Sequence, residues 1–380
     1  MTEKTRILQL IASSHGGGAA HVLDLSLGLD PEQFQVTVAM PEDGGNVLPG
    51  QFTEADIEFV AMAIRSGFAW RQVGRMRRLV RDGRFHLIHV HGARAALYGR
   101  LAVMGMKQRP RVVFSIHGFA TPFYAPVKRT VYLLLERWLQ RVTERTICVA
   151  QAEADLFLQH RLAPPEKVYV VHPGIDVQRF LQVQGKDDGR LRRDLQLPTG
   201  SRIILTVCRL HIPRDFDTLL DAFAQIVPRF PDLHLLIVGD GPQREQIIHQ
   251  IEQTGLTAHV HLPGFRRDIP DLMGLADIFV LTSFGWEGYP LSTLEAQAAG
   301  VPVVVTAAGG SAEAVRHEQT GLVVPKQDAT RMAAAFTRLL TDASLRQQMG
   351  TAGQARAKTQ LTREVMVREI TAVYQNLRRG

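Results

Sequence analysis

The sequence predicts an α/β protein made of two doubly wound, parallel-sheet domains. Three observations predict it. Short apolar runs rich in Val, Ile and Leu recur along the chain, and longer amphipathic stretches separate them. Continuous apolar strands of this kind are buried on both faces, which a parallel sheet covered by helices provides. The series breaks at a polar gap over 182–200, containing Lys186, Asp187 and Asp188. Two series with a break between them make two domains, and 380 residues suffice for about two.

Taken in order, the first series has strands at 6–12, 35–39, 87–90, 112–116, 146–149 and 168–171. The segment 6–12 has an apolar core of only six residues, with Gln9 inside it, and reads as a strand rather than a secretory leader. The turn His172-Pro173-Gly174-Ile175-Asp176 separates the domains, so the first spans 1–173 and the second 174–355. The second series has strands at 203–207, 233–238, 260–262, 278–281, 301–305 and 321–324. The last stretch is helical and rich in Arg and Gln. In such folds the ligand sits beyond the carboxyl ends of the strands, here between the domains.

Composition narrows the class. The chain is 45% hydrophobic and 21% charged, with a mean hydropathy of −0.03. No run approaches the roughly 18 apolar residues of a membrane span. Cys148 and Cys208 lie in strand-like runs and read as buried free thiols, which fits a reducing compartment. No Cys/His spacing of a metal site is present. The net charge is +7, and the stretch 65–111 holds 12 basic residues against one acidic residue, Asp82. That concentration suits an anionic partner: a lipid headgroup, a nucleic acid or a phosphorylated substrate.

The most informative segment is TSFGWEGYPLSTLEAQAAGVPVVVT, which sets Glu287 in a Gly/Pro-containing loop and Glu295 in the first turn of the next helix. A helix N-terminus attracts phosphate, and carboxylates accept hydrogen bonds from hydroxyls. Together they suit a ligand with both phosphate and sugar. Two carboxylates also serve glycoside hydrolysis, but the many phosphate-friendly turns argue against it. By spacing alone, Glu295 could instead stabilise its own helix N-terminus.

Other candidates surround this pair. The loop His15-Gly16-Gly17-Gly18 follows the first strand and lets backbone approach an anion. A dinucleotide site would need glycine where His21 stands and an acidic residue ending the second strand, and both are missing. Arg209 and Arg214 end the strand 203–207 and could clamp a diphosphate, or pair with Asp215 or Asp217. Asp215 in Asp215-Phe216-Asp217 reads as a helix N-cap rather than a metal ligand. His117-Gly118 follows a strand end facing the expected cleft. His89 and His91 read as packing or cleft-lining residues.

In this order, these residues resemble glycosyltransferase family 4, a retaining family of the two-domain GT-B fold. The E-x7-E element is matched by Glu287 through Glu295 within EGYPLSTLEAQAAGVPVV. The glycine loop Gly16–Gly18, His117-Gly118, VHPGID, VCRL, VGDGP, LPGF and Gly309-Gly310-Ser311-Ala312-Glu313 also match, so the resemblance covers nearly the whole chain. It implies two Rossmann-like domains facing across a cleft, the second binding a nucleotide-sugar donor and the first an acceptor. The helical tail 356–380 is expected to cross back to the first domain.

The resemblance also implies roles. Glu295 takes the ribose hydroxyls and Glu287 the transferred sugar. Backbone N–H groups near Leu291 and Ser292 meet the diphosphate, as does the glycine loop at Gly17 and Gly18. Arg209 and Arg214 neutralise the leaving group, backbone near Phe265 and Arg266 meets the base, and His117 faces the donor sugar. No metal or other cofactor is implied. The family has Lys-Gly where Arg214-Asp215 stands, so Asp215 brings a negative charge near the phosphates. The implied enzyme moves a sugar, from UDP by preference, to a glycan or lipid-linked acceptor in surface polysaccharide or glycolipid synthesis. The basic, aromatic stretch from Phe123 to Arg141 would dock it on an anionic membrane from the cytoplasmic side, with no role for nucleic acid. The alternatives are a nucleotide-sugar epimerase and a non-catalytic nucleotide-sugar-binding protein.

Overall fold

The computed structural model describes residues 3–42, 48–64, 67–118, 124–183 and 189–378. Arg65, which opens the basic stretch, and Phe123, Lys186, Asp187 and Asp188, named above, lie outside them. The chain divides into two compact units, Met1–Gly174 with Arg363–Gly380, and Ile175–Thr362.

The first unit holds a parallel sheet of β1 (Thr5–Ile11), β2 (Phe34–Met40), β3 (Glu58–Ala61), β4 (Leu87–His91), β5 (Arg111–Ile116), β6 (Arg145–Cys148) and β7 (Val168–Val170), in the order β3-β2-β1-β4-β5-β6-β7. The sequence series lacks β3. Its residues are at best half-buried at the sheet edge, so Glu58-Phe59-Val60-Ala61 carries no continuous apolar run. Chain order reverses between β1 and β4, and the register sets Gln9 beside His89 and His91 beside Ser115.

The second unit holds β8 (Arg202–Val207), β9 (Leu233–Val238), β10 (Val260–Gly264), β11 (Ile278–Leu281), β12 (Val303–Thr306) and β13 (Gly321–Val324), in the order β10-β9-β8-β11-β12-β13. The order reverses between β8 and β11. Pro302 has no N–H to give a sheet, and β12 starts after it rather than at Val301. Phe216, Leu219, Phe223, Leu235, Ile237, Phe336 and Leu339 pack in the core of this unit. Each such side chain contributes on the order of 1.5–3 kcal/mol by leaving water.

The core of the first unit is closed by the far end of the sequence. Met366, Ile370, Val373, Tyr374 and Leu377, from the helix Arg363–Arg378, pack with Ile7, Leu25, Phe34, Leu87 and Val113. Arg363 holds Asp24 at 2.7 Å. The return to the first unit starts at Arg363 and not at 356, because the preceding helix, Ala343–Gln360, stays in the second. Ile175 N–H donates to the Leu361 carbonyl at 2.9 Å, which pairs the two points where the chain leaves the second unit.

Candidate functional site

At the β8/β11 switch point, two strand ends converge. The turn after β8 carries Arg209 and Arg214, and the loop after β11 carries Ser283 and Glu287. A single antiparallel bridge joins Arg214 to Ser283, and Asp215 N–H donates to the Thr282 carbonyl at 3.2 Å. Ser283 is held in turn by Thr306 at the end of β12, whose hydroxyl donates to the Ser283 carbonyl at 2.9 Å and accepts from its N–H at 2.8 Å.

On this floor, Arg214 and Glu287 pair with each other at 2.7 Å. Ser283 Oγ lies between them, accepting from Arg214 at 2.7 Å and donating to Glu287 Oε1 at 3.0 Å. Burial works to lower the Arg214 pKa, but the Glu287 carboxylate and Cys208 beside it together hold it above the ordinary value. The ion pair expected with Asp215 or Asp217 is thus replaced by one with Glu287. Asp215 faces the other way, where its carboxylate caps the helix Phe216–Ile226 by accepting from Thr218 N–H at 3.1 Å and Thr218 Oγ1 at 2.7 Å. The charge feared at the phosphates is engaged in its own helix.

Close backbone contacts fix these loops. A Cβ on Gly309 would lie 2.6 Å from the Glu287 carbonyl, and Gly310 N–H donates to that carbonyl at 3.1 Å. A Cβ on Gly239 would lie 1.9 Å from the Cys208 carbonyl. The VGDGP turn therefore packs against the turn carrying Arg209 rather than forming an open cradle. Arg356 clamps Tyr289 Oη at 2.8 Å and the Ala314 carbonyl at 2.6 Å, tying the Glu287 loop to the helix Gly310–Glu313.

The helix Leu291–Ala298 starts after Pro290 with no side-chain cap, so first-turn N–H groups at Leu291 and Ser292 lack intrahelical partners. Glu295 lies in its second turn, not its first, and no acidic residue occupies the first turn. Reading Glu295 as stabiliser of its own N-terminus loses its geometric basis. Arg209 is exposed. Phe265 is exposed, and the Arg266 side chain is bound to Asp268, leaving its backbone for any ligand. Cys208 is half-buried rather than buried, and Cys148 is buried; both are free thiols.

Gly17, Gly18 and His117 belong to the first unit. Gly17 and Gly18 are the first residues of the helix Gly17–Gly28, which opens two residues before Ala19, after Gly16 at φ 80°. His117 is half-buried after β5, and it is not alone. Its Nε2 lies 3.0 Å from His91 Nδ1, and its ring centroid is 4.8 Å from that of His21. His91 Nε2 meets Gln9 Oε1 at 2.8 Å. His89 bridges Tyr374 Oη at 2.5 Å and Ser115 Oγ at 2.7 Å. Burial lowers the pKa of all four histidines, and that of His117 falls to about 4. Glu153 sets the His117 turn by accepting from Gly118 N–H at 2.8 Å and Val149 N–H at 2.9 Å.

Sequence reasoning missed Ser283, Thr306, Arg356, Glu153 and the involvement of His21. His89-Val90-His91 carried the clearest signal. Alternate residues of a strand share a face, and Gln9 and Ser115 sit on its neighbours in register.

Two family models match the chain: Glycosyltransferase Family 4 over residues 15–179 and Glycosyl transferases group 1 over residues 187–356. The chain is 28% identical over 272 residues to the UDP-Gal:alpha-D-GlcNAc-diphosphoundecaprenol alpha-1,3-galactosyltransferase of Escherichia coli, covering 70% of this chain and 69% of that one. It is 30% identical over 298 residues to a GDP-mannose-dependent alpha-(1-6)-phosphatidylinositol monomannoside mannosyltransferase of Mycobacterium tuberculosis, covering 74% and 73%. Anabaena HepE, solved in complex with UDP-glucose, superposes with a TM-score of 0.85 at 23% identity over 98% of this chain and 99% of that one. At that identity the likeness speaks for the fold.

Proposed function

The chain belongs to glycosyltransferase family 4 and is an enzyme of glycosyl transfer, and from that premise we propose that it moves a sugar from a UDP-linked donor to a lipid-linked acceptor with retention at the anomeric carbon. The observation that carries the donor half is the Arg214–Ser283–Glu287 triad beside the uncapped helix Leu291–Ala298. In this reading Glu295 takes the ribose hydroxyls, Leu291 and Ser292 N–H groups take the diphosphate, and backbone near Phe265 and Arg266 takes the base. UDP is favoured because the name of the E. coli relative carries UDP-Gal; the M. tuberculosis relative is GDP-mannose-dependent, so the base is the point the donor panel decides.

Breaking the sugar–phosphate bond builds positive charge on the anomeric carbon and negative charge on the diphosphate. Arg214, held by Ser283, and the helix N–H groups are positioned donors for that negative charge, and the exposed Arg209 adds a second cation. On donor binding Arg214 turns part of its guanidinium from Glu287 to phosphate, and Glu287 is released toward the sugar hydroxyls. The acceptor hydroxyl attacks from the face the diphosphate leaves, and a phosphate oxygen takes its proton. No metal is assigned to this step.

The first unit holds the acceptor in this reading and docks on an anionic membrane. Its helix Pro126–Leu139 leaves Val127, Val131, Leu134 and Trp138 exposed, at 78%, 59%, 58% and 39%. Their spacing makes one stripe on a helix that also carries Lys128, Arg129 and Arg137. The same helix buries Leu139 and half-buries Tyr132, Leu133 and Leu135, so it packs on its own unit and leaves this second apolar stripe outward. Among the described residues no helix is long and apolar enough to cross a membrane.

A thermal-shift panel of UDP-, GDP-, ADP- and dTDP-sugars tests the donor. A rise in melting temperature with UDP-sugars alone supports the reading. No response to any nucleotide removes the donor site.

A further inference from the structure

We propose that His21, His91 and His117 bind one divalent transition-metal ion of the zinc class. Each offers a ring nitrogen, and the three lie within 4.8 Å of one another. They come from the helix Gly17–Gly28, from β4 and from the turn after β5. Three separate elements therefore hold the arrangement in place before any ion arrives. Imidazole is the preferred ligand of Zn²⁺, Co²⁺, Ni²⁺ and Cu²⁺, and three imidazoles leave a fourth position for water or a ligand. Zn–N bonds of about 2.0–2.1 Å place tetrahedral nitrogens roughly 3.3 Å apart. His91 Nδ1 and His117 Nε2, 3.0 Å apart, need to separate only slightly.

A second observation points to a ligand. His21 is only 3% exposed, and neither of its ring nitrogens has a hydrogen-bond partner among the described residues. Buried polar atoms left unpaired cost about 1–3 kcal/mol, and native structures rarely carry them without a reason. Its ring packs edge-on to His117 and 5.7 Å from His91, so the unpaired imidazole lies against the other two ligands.

The surrounding residues fit the same purpose. Gln9 Oε1 accepts from His91 Nε2–H, which leaves the lone pair of His91 on Nδ1, the atom facing His117. Gln9 Nε2 donates to Tyr374 Oη at 3.2 Å, fixing the amide that fixes the tautomer. Outer hydrogen bonds of this kind orient metal-bound histidines. Glu153, through Gly118 N–H, steadies the turn carrying His117.

The second unit supplies an internal control. His234, His259 and His261 also cluster, with His234 Nδ1 3.0 Å from His261 Nε2. There His259 Nδ1 is engaged by the Leu233 carbonyl at 2.9 Å, and no ring nitrogen of the three is buried without a partner.

The test is titration of the full chain, free of any histidine tag and stripped with chelator, with Co²⁺ followed by Zn²⁺. One equivalent of Co²⁺ should bind, give the visible absorption of a low-coordinate site and be displaced by Zn²⁺. His21→Ala and His117→Asn should abolish the band, Gln9→Leu should weaken binding about 10–100-fold, and His261→Ala should leave it unchanged. Circular dichroism confirms which variants fold. His117 is half-buried, so His117→Asn decides the matter if a more buried variant does not fold. The proposal is overturned if the wild-type chain retains no Co²⁺ after dialysis, if stoichiometric binding survives His117→Asn, or if His261→Ala removes it.

Discussion

Arg214 is already committed, since its partner Glu287 is the carboxylate that the proposed donor reading assigns to the transferred sugar. Arg214→Ala should lower kcat/KM by about 10²–10³, the usual scale for removing a fixed donor to a developing anion. Arg214→Lys, which keeps the charge but loses the planar fork, should fall between the two in steady-state kinetics. Asp215→Ala should behave differently. Its carboxylate caps a helix, so the variant should lose about 1 kcal/mol of stability in denaturant unfolding while the donor KM stays nearly constant. A large rise in that KM would return Asp215 to the phosphates. The Asp215 cap was legible in the sequence because capping is local: donor and acceptor are three residues apart. The Arg214–Glu287 pair was not, because only the order of β8 and β11 in the sheet brings the two loops together.

Elements show the same division. The strand runs of both sheets were readable because burial on both faces leaves no polar alternation, and β3 was not because an edge strand is half-wet. Glu287 and Glu295 stand out in sequence, yet the helix bounds give Glu295 its meaning by placing it beyond the capping turn. Glu295→Ala should weaken UDP-sugar binding in calorimetry while melting temperature holds, and unchanged affinity would end its ribose assignment. The helix Pro126–Leu139 read as amphipathic and basic, but which way its apolar stripe faces is decided by packing alone. Val131→Glu with Leu134→Glu should abolish flotation with anionic liposomes at low salt and leave the melting temperature within about a degree. Unchanged flotation removes the membrane from the reading. The wild-type interaction should also weaken as salt rises, since part of it is screened charge.

For the whole molecule, buried histidines tie stability to pH. Burial, reinforced by the charges His261 and His259 would carry, lowers the His234 pKa to about 4. The unfolded chain takes up this proton near pH 6.5 and the native chain does not. The stability contributed by neutral His234 is thus complete above about pH 6.5 and lost as pH falls toward 4, by at most about 1.4 kcal/mol per unit. Unfolding midpoints measured from pH 7 to 4 should fall with pH, and His234→Gln should flatten part of that slope. A wild-type midpoint that does not move would remove the linkage.

The helix Arg363–Arg378 completes a core whose other members come from the first 171 residues. On the ribosome, then, the unit that emerges first is the one that finishes last. Ile7, Leu25, Phe34 and Leu87 wait with their surface uncovered while the whole second unit is made. The second unit, whose sheet and core lie within Ile175–Thr362, can fold before the first is complete. Between those two moments the nascent chain offers a folded half joined to an open one, and that interval is when a chaperone has something to hold.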